Sequence, residues 1–315
     1  KIAYSGICAS DIPRCFNNAA YFYPLVIGHE FSGQIVDKSN YLKKYKIGDK
    51  VSVFPLIPKC KKCKSCKIGD YQLCENYSYF GSRQDGSFSN YLDVPEWNIF
   101  KLPKSIDLKI ACLIEPIAVA YNIFNKMKIK NSSESILILG SGFIGQILAR
   151  ILYLNNFKNI TCLDRNIFKL RYIKRFSNQT ISKLSLIKKQ KKFNFAIDLI
   201  GNNETFNSAL NILESKGKMV CAANIYSDQK FYKNSFNKLL RKELSIQGIW
   251  NSTYKIKKNN WNSALNFIKK YSNYVNELIT QEILLKNSNI ALKKLYLSKN
   301  KKNNFKNIKC VIRNN

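Results

Sequence analysis

The sequence predicts an α/β protein in which a β-rich segment precedes a doubly wound parallel sheet. Three observations carry that expectation. Residues 1–116 hold short apolar runs broken by Gly, Pro and Asn, the pattern of a β-barrel with long loops. From about residue 117, apolar strands alternate with helical stretches, which argues for a parallel sheet covered on both faces. A glycine-rich turn, Gly140-Ser-Gly142-Phe-Ile-Gly145, stands at the first strand-to-helix junction of that alternation.

In the first segment the clearest apolar runs are Pro24–His29, Lys50–Phe54 and Phe88–Val94. In the second, strands read Ser135–Leu139, Asn159–Asp164, Asn194–Ile200, Lys218–Ala222 and Leu244–Ile249. Helical spacing marks Phe143–Leu154, Ile167–Phe176 and Glu204–Leu213. After Trp250 the alternation stops. A helix around Trp261–Tyr271, another near Ile290–Leu297 and a last strand at Ile308–Ile312 are expected to return to the first domain. A length of 315 residues suits two domains. The expected division is 1–116 with 250–315, and 117–249. The chain has no initiator Met and its first residues read as the interior of a strand, which predicts a natural start upstream of Lys1.

A net charge of +32 invites a nucleic-acid reading. Only eight of the 52 basic residues are Arg, however, and phosphate and base readout lean on the guanidinium fork. The lysines are scattered among Asn and Ile, the residues of A/T-rich codons, so no nucleic-acid partner is expected. No run approaches the ~18 consecutive apolar residues of a membrane span, and Lys1–Asp11 carries no secretory apolar region. A cytoplasmic protein without a membrane partner is expected.

Ten cysteines stand at 8, 15, 60, 63, 66, 74, 112, 162, 221 and 310. Clustered cysteines in a large chain without a secretory signal point to metal rather than disulfides. Cys60-Lys-Lys-Cys63-Lys-Ser-Cys66, with Cys74 eight positions on, places four thiolates in one loop. Four thiolates can close a tetrahedron around Zn²⁺ and leave no open position, so this zinc is expected to be structural. The interleaved lysines lower thiol pKa values and offset the negative charge of a Zn–Cys₄ unit.

The glycine turn follows an apolar strand, opens a helix, and precedes Asp164 at the end of the next strand. Gly140, Gly142, Phe143, Ile144 and Gly145 are therefore candidates to carry a dinucleotide pyrophosphate at a helix N-terminus. Asp164 would pair with the adenosine ribose hydroxyls and repel a 2′-phosphate, favouring NAD, while Arg165 keeps NADP open. A third, dispersed set comprises Cys8, the Gly28-His29-Glu30 triplet and Glu115. Thiolate, imidazole and carboxylate suit a catalytic zinc with one position left for water or substrate. His29 is the single histidine, so any mechanism needing two is excluded.

The stretches Ser5–Asp11, Gly28–Gly33 and Gly48–Val51, with the four-cysteine loop and the glycine turn, together resemble the zinc-containing medium-chain dehydrogenases. More narrowly, Ser10-Asp-Ile-Pro-Arg14, Gly81-Ser-Arg-Gln-Asp-Gly86 and Leu240-Arg-Lys-Glu-Leu244 are similar to the galactitol-1-phosphate 5-dehydrogenases of the sorbitol dehydrogenase branch. The resemblance implies a GroES-like β-barrel catalytic domain plus a Rossmann domain, with the active site in the cleft. It implies one catalytic and one structural zinc, NAD as cofactor, and a homo-oligomer, dimer or tetramer.

Residue by residue, the resemblance assigns Cys8 and His29 as catalytic zinc ligands. Glu115 matches the carboxylate at the metal, and Glu30 its neighbour that can exchange into the coordination shell. Asp11 would orient the histidine, and Ser10 would take the alcohol proton. Cys60, Cys63, Cys66 and Cys74 would hold the structural zinc. Ala9 departs from the family's usual glycine, and the family's leading strands, upstream of the ligand cysteine, are absent from the residues present. Arg14 and Arg83 are candidate contacts to a substrate phosphate. The expected activity is hydride transfer from a secondary alcohol of a polyol phosphate to NAD. Sorbitol, threonine or a diol stand as alternative substrates, and a non-catalytic zinc and dinucleotide-binding protein as the alternative of another class.

Overall fold

The computed structural model describes residues 1–41, 43–187, 192–225, 227–257, 259–300 and 305–314. The chain divides into two compact units. One comprises Lys1–Ala118, Ser252–Asn303 and Lys309–Asn315, and the other Val119–Asn251 and Asn304–Ile308.

In the first unit, β1 (Ile2–Gly6), β2 (Glu30–Gln34) and β3 (Lys50–Val53) run antiparallel side by side. Two short strands, β4 (Leu56–Pro58) and β5 (Tyr77–Tyr79), pair with each other, and β6 (Ile99–Lys101) flanks β3. Of the three apolar runs singled out in this segment, only Lys50–Phe54 forms a strand. Pro24–His29 and Phe88–Val94 form no regular strand. The physical reason is local. Gly28 sits at φ +101° and breaks any regular ladder. The two runs instead exchange single backbone bonds, with Ser87 N donating to Gly28 O at 3.0 Å and Phe88 N to Ile27 O at 3.0 Å.

The second unit holds a six-stranded, all-parallel sheet. Its strands are β7 (Ile136–Leu139), β8 (Ile160–Leu163), β9 (Gln179–Ile181), β10 (Phe193–Asp198), β11 (Leu213–Cys221) and β12 (Ser245–Gly248). The order β12-β11-β10-β7-β8-β9 reverses direction between β7 and β10, which is the doubly wound arrangement. Strands covered on both faces read as continuous apolar runs, and every residue of β7 and β8 is buried. Helix Phe143–Leu154 coincides with its expected span. The Asn-rich composition supplies helix starts: Asn202 accepts from Thr205 N at 2.9 Å in a capping box, and Asn166 accepts from Phe168 N at 3.0 Å.

The chain then rejoins the first unit. β14 (Lys309–Arg313) pairs antiparallel with β1, and β13 (Ile279–Leu284) runs parallel to β14. Helix Asn260–Asn276 brings the fully buried Trp261 into a cluster with Phe54, Phe100 and Tyr254. Polar atoms in that cluster are satisfied: Trp261 Nε1 donates to Ser252 Oγ at 3.1 Å and Tyr254 OH to Ile99 O at 2.9 Å. Each such ring contributes roughly 1.5–3 kcal/mol by burial. Among the described residues no helix is long and apolar enough to cross a membrane.

Candidate metal centres and dinucleotide site

The loop from Cys60 to Cys74 brings its four sulfurs within 4.8 Å of one another. Cys60 Sγ and Cys74 Sγ lie 3.3 Å apart. Thiolates about 2.3 Å from a shared zinc stand at comparable separations, so these four residues fit a closed tetrahedral site. Backbone N–H groups of Cys63 and Lys62 pull the Cys60 thiol down to about 6, whereas burial pushes Cys66 up. A low-pKa thiol is the ligand form that a zinc site needs.

The second set is assembled from separate elements. Cys8 lies just after β1, His29 just before β2 and Glu30 at the first position of β2. Their ligand atoms also lie within 4.8 Å of one another. His29 and Glu30 are buried. Asp11 opens the short helix Asp11–Phe16, and its Oδ1 stands 3.3 Å from His29 Nδ1 while Oδ2 accepts from Cys8 N at 2.9 Å. Burial alone would raise the Asp11 carboxyl, but His29, Arg14 and the bond from Cys8 N hold it below its ordinary value. Burial likewise opposes a charged His29, and the neighbouring Asp11 and Cys8 outweigh it, raising the imidazole well above its usual range.

Ser10 Oγ donates to Cys8 Sγ at 3.3 Å and accepts from Arg14 Nη1 at 3.2 Å, and the same Arg14 nitrogen lies 3.2 Å from Asp11 Oδ1. Arg14 thus stands within the Ser10–Asp11 network. Glu115, in the first turn of helix Ile114–Met127, is not one of the three clustered ligands. Its Oε1 accepts from Tyr79 OH at 3.3 Å. Burial pushes Glu115 up to about 7; His29 pulls it back and the like charge of Glu30 adds to the rise.

Two residues at this site escaped sequence reasoning. Tyr79 sets its ring edge against His29, with centroids 5.6 Å apart, and reaches Glu115. Only its position two residues before the Gly81–Gly86 segment could have marked it. Lys309, on β14, is buried, forms an ion pair with Glu30, and donates to Ile7 O at 3.0 Å. One lysine among 44 carries no signal of this kind.

Arg83 lies on the loop that follows Tyr79, with Arg83 N donating to Tyr79 O at 2.9 Å. The loop is pressed against Gly28: a Cβ on Gly81 or Gly86 would come within 2.5 Å or 2.1 Å of Gly28 O. The guanidinium stacks between Tyr21 and Tyr77, 4.2 Å and 4.5 Å from their ring centroids, and donates to Tyr21 OH at 3.1 Å. Arg83 is exposed.

In the parallel sheet, the turn after β7 carries Gly140 at φ +106°. A Cβ on Gly145 would stand 2.1 Å from Gly140 O, and a Cβ on Gly142 would meet nothing within 4 Å. The first contact demands glycine for close backbone packing, and the second leaves open space at the helix start. Helix Phe143–Leu154 has no side-chain N-cap, and a helix N-terminus favours an anion. Asp164 accepts from Ser141 N at 2.9 Å and Asn166 N at 2.8 Å, which ties the end of β8 to the glycine turn. Phe143 is buried and Ile144 half-buried, whereas Arg165 is exposed. These features fit a dinucleotide.

Comparison with known proteins agrees with this layout. The alcohol dehydrogenase GroES-like domain matches residues 1–104, and the zinc-binding dehydrogenase family matches residues 144–270. Galactitol 1-phosphate 5-dehydrogenase of Escherichia coli K12 is 31% identical over 259 residues, covering 79% of this chain and 74% of that protein. Sorbitol dehydrogenase of Halalkalibacterium halodurans is 26% identical over 293 residues, covering 90% and 83%. The crystal structure of galactitol-1-phosphate dehydrogenase from Escherichia coli superposes with a TM-score of 0.88 at 28% identity, covering 99% of this chain and 91% of that one.

Proposed function

Because the chain belongs to the medium-chain zinc-binding dehydrogenases, we propose that it oxidises a secondary alcohol of a polyol phosphate with NAD. The observation that carries the reading is the convergence of Cys8, His29 and Glu30 beside the Ser10–Arg14–Asp11 network. A bound zinc ion supplies Lewis acidity toward the substrate hydroxyl, and bound NAD supplies an acceptor for the hydride.

Cys8 and His29 would hold the metal, with Glu30 or Glu115 as the third protein ligand. Asp11, whose Oδ1 stands 3.3 Å from His29 Nδ1, would orient the ring and leave Nε2 as the nitrogen that could hold the metal. Ser10 Oγ would receive the proton of the substrate hydroxyl as its own proton passes to the cofactor ribose or water. Arg14 Nη1, which donates to Ser10 Oγ at 3.2 Å, holds that hydroxyl in place. No second histidine exists to relay the proton. The N-terminal turn of helix Phe143–Leu154 would bind the pyrophosphate, and Asp164 would receive the ribose hydroxyls. Arg83, on the loop rooted at Gly28 and Tyr79, binds the substrate phosphate.

The test is an NAD-reduction screen of zinc-replete protein against galactitol 1-phosphate, sorbitol, threonine and 2,3-butanediol. Galactitol 1-phosphate is expected to give the highest kcat/KM. Equal turnover of sorbitol sinks the phosphate assignment, and no NAD reduction with any secondary alcohol sinks the dehydrogenase reading.

A further inference from the structure

In a doubly wound sheet, ligands bind beyond the carboxyl ends of the strands where the order reverses, here between β7 and β10. The turn Gly140–Gly145 forms one lip of that position. The other lip is the turn Leu199–Gly201, which no motif marks. Asp198, the last residue of β10, pairs in register with Leu139 of β7 and is 2% exposed. Leu199 N donates to Leu139 O at 2.9 Å, so the strand pairing runs up to the edge of the glycine turn.

The Asp198 carboxylate gathers the second turn around itself. Its Oδ1 accepts from Ile200 N at 2.9 Å and Gly201 N at 3.0 Å. The Thr205 hydroxyl, which accepts from Asn202 N at 3.5 Å, lies 3.2 Å from Asp198 Oδ2 as a donor. Burial raises the Asp198 carboxyl, and the bonds from Gly201, Ile200 and Thr205 draw it back. A turn held this way presents fixed atoms to the glycines. A Cβ on Gly140 would stand 3.2 Å from Ile200 Cγ1 and 3.3 Å from Leu199 Cβ, and a Cβ on Gly145 would stand 3.4 Å from Leu199 Cδ1. Ile200 nevertheless remains 38% exposed, an apolar side chain left at the rim of the glycine turn.

We propose that Asp198 is a positioning residue of the dinucleotide site, holding Leu199–Gly201 so that Ile200 forms the apolar wall facing the Gly140–Gly145 turn. The inference rests on the dinucleotide reading of that turn. Asp198 touches no reacting atom, and its effect on the cofactor passes through Ile200. A capping role alone is already filled by Asn202 and Thr205, whose bonds start helix Asn203–Ile212 without the carboxylate.

The test measures NAD affinity of the full-length, zinc-loaded protein by intrinsic fluorescence quenching, alongside thermal melting. Asp198→Ala is expected to raise the Kd for NAD about tenfold, as the loss of a charge-assisted turn anchor implies. kcat at saturating NAD should stay near the wild-type value. Asp198→Asn keeps an acceptor oxygen for Ile200 N and Gly201 N, and should recover most of the affinity. Ile200→Ala, at a partly exposed position, should weaken NAD binding without lowering the melting temperature. Should Asp198→Ala not fold, Ile200→Ala still tests the wall through which Asp198 is proposed to act. Unchanged NAD affinity in Ile200→Ala, or in a folded Asp198→Ala, overturns the proposal. A wild-type protein that binds no NAD overturns the dinucleotide reading beneath it.

Discussion

Lys309 and Glu30 form a buried ion pair between β14 and β2, with side chains 5% and 1% exposed, beside the Cys8–His29 pair. Such a pair is held by mutual neutralisation, because either charge alone would be stranded away from water. Lys309→Met should therefore destabilise the protein by about 3–5 kcal/mol in chemical denaturation. The double variant Lys309→Met, Glu30→Gln should recover most of that loss. A double variant as unstable as the single one would mean that Lys309 acts through its bond to Ile7 O instead.

Metal analysis of protein purified without chelators should return two zinc ions per chain. Cys74→Ser should lose one of them and cost on the order of 3 kcal/mol or more, since metal binding at a closed site is folding energy. Cys8→Ser should keep the fold and lower kcat at least about a hundredfold, because losing a ligand exceeds losing an outer partner. One zinc in the wild type would remove one of the two sites.

NAD should surpass NADP in kcat/KM by about tenfold or more, the equivalent of one charge-assisted bond won or lost at Asp164. Asp164 already accepts from Ser141 N and Asn166 N, so its carboxylate is fixed before any ribose arrives. Asp164→Ala should narrow the preference. Equal use of the two cofactors by the wild type would assign the phosphate to Arg165.

Arg83→Ala should raise KM for galactitol 1-phosphate by roughly 10–100-fold, the range for a hydrogen bond to a charged group. KM for sorbitol should change far less. A parallel rise for both substrates would make the Tyr21–Arg83–Tyr77 stack a support for the loop rather than a phosphate contact.

Asp49 gives the pH prediction. The hydrogen bond from Lys101 at 2.6 Å, with that from Lys46 N, holds its carboxyl below the ordinary value. A depressed folded pKa stabilises above the unfolded pKa of about 3.9 and is lost as pH falls through the folded value. Asp49→Asn should accordingly destabilise by at most about 1 kcal/mol at pH 7. The difference should close at acidic pH and shrink in high salt. A difference that persists below pH 3 would point to the backbone bond from Lys46 rather than charge.

The parallel sheet was legible because each part of it is local. β7, the glycine turn and helix Phe143–Leu154 follow one another within twenty residues, and each announces itself by period or by glycine. The four-cysteine loop is legible for the same reason. The GroES-like half is read less fully, because its strands are short and its pairings distant. Pro24–His29 looks like a strand in sequence and becomes a glycine-broken run, since Gly28 takes a positive φ where Gly81 and Gly86 lie close against it. Tyr79 and Lys309 were invisible because their meaning lies in partners far along the chain. Lys309 meets Ile7 across 302 positions.

The placement of β14 between β13 and β1 has a consequence for how the protein is made. As the chain leaves the ribosome, every strand of the parallel sheet is available once β12 has emerged, before β13 and β14 are made. The first unit must wait. β1 has only β2 beside it until the last strand arrives, and Glu30 has no counter-ion until Lys309 is synthesised. The Lys309–Glu30 ion pair therefore forms only after every strand of the parallel sheet has been synthesised.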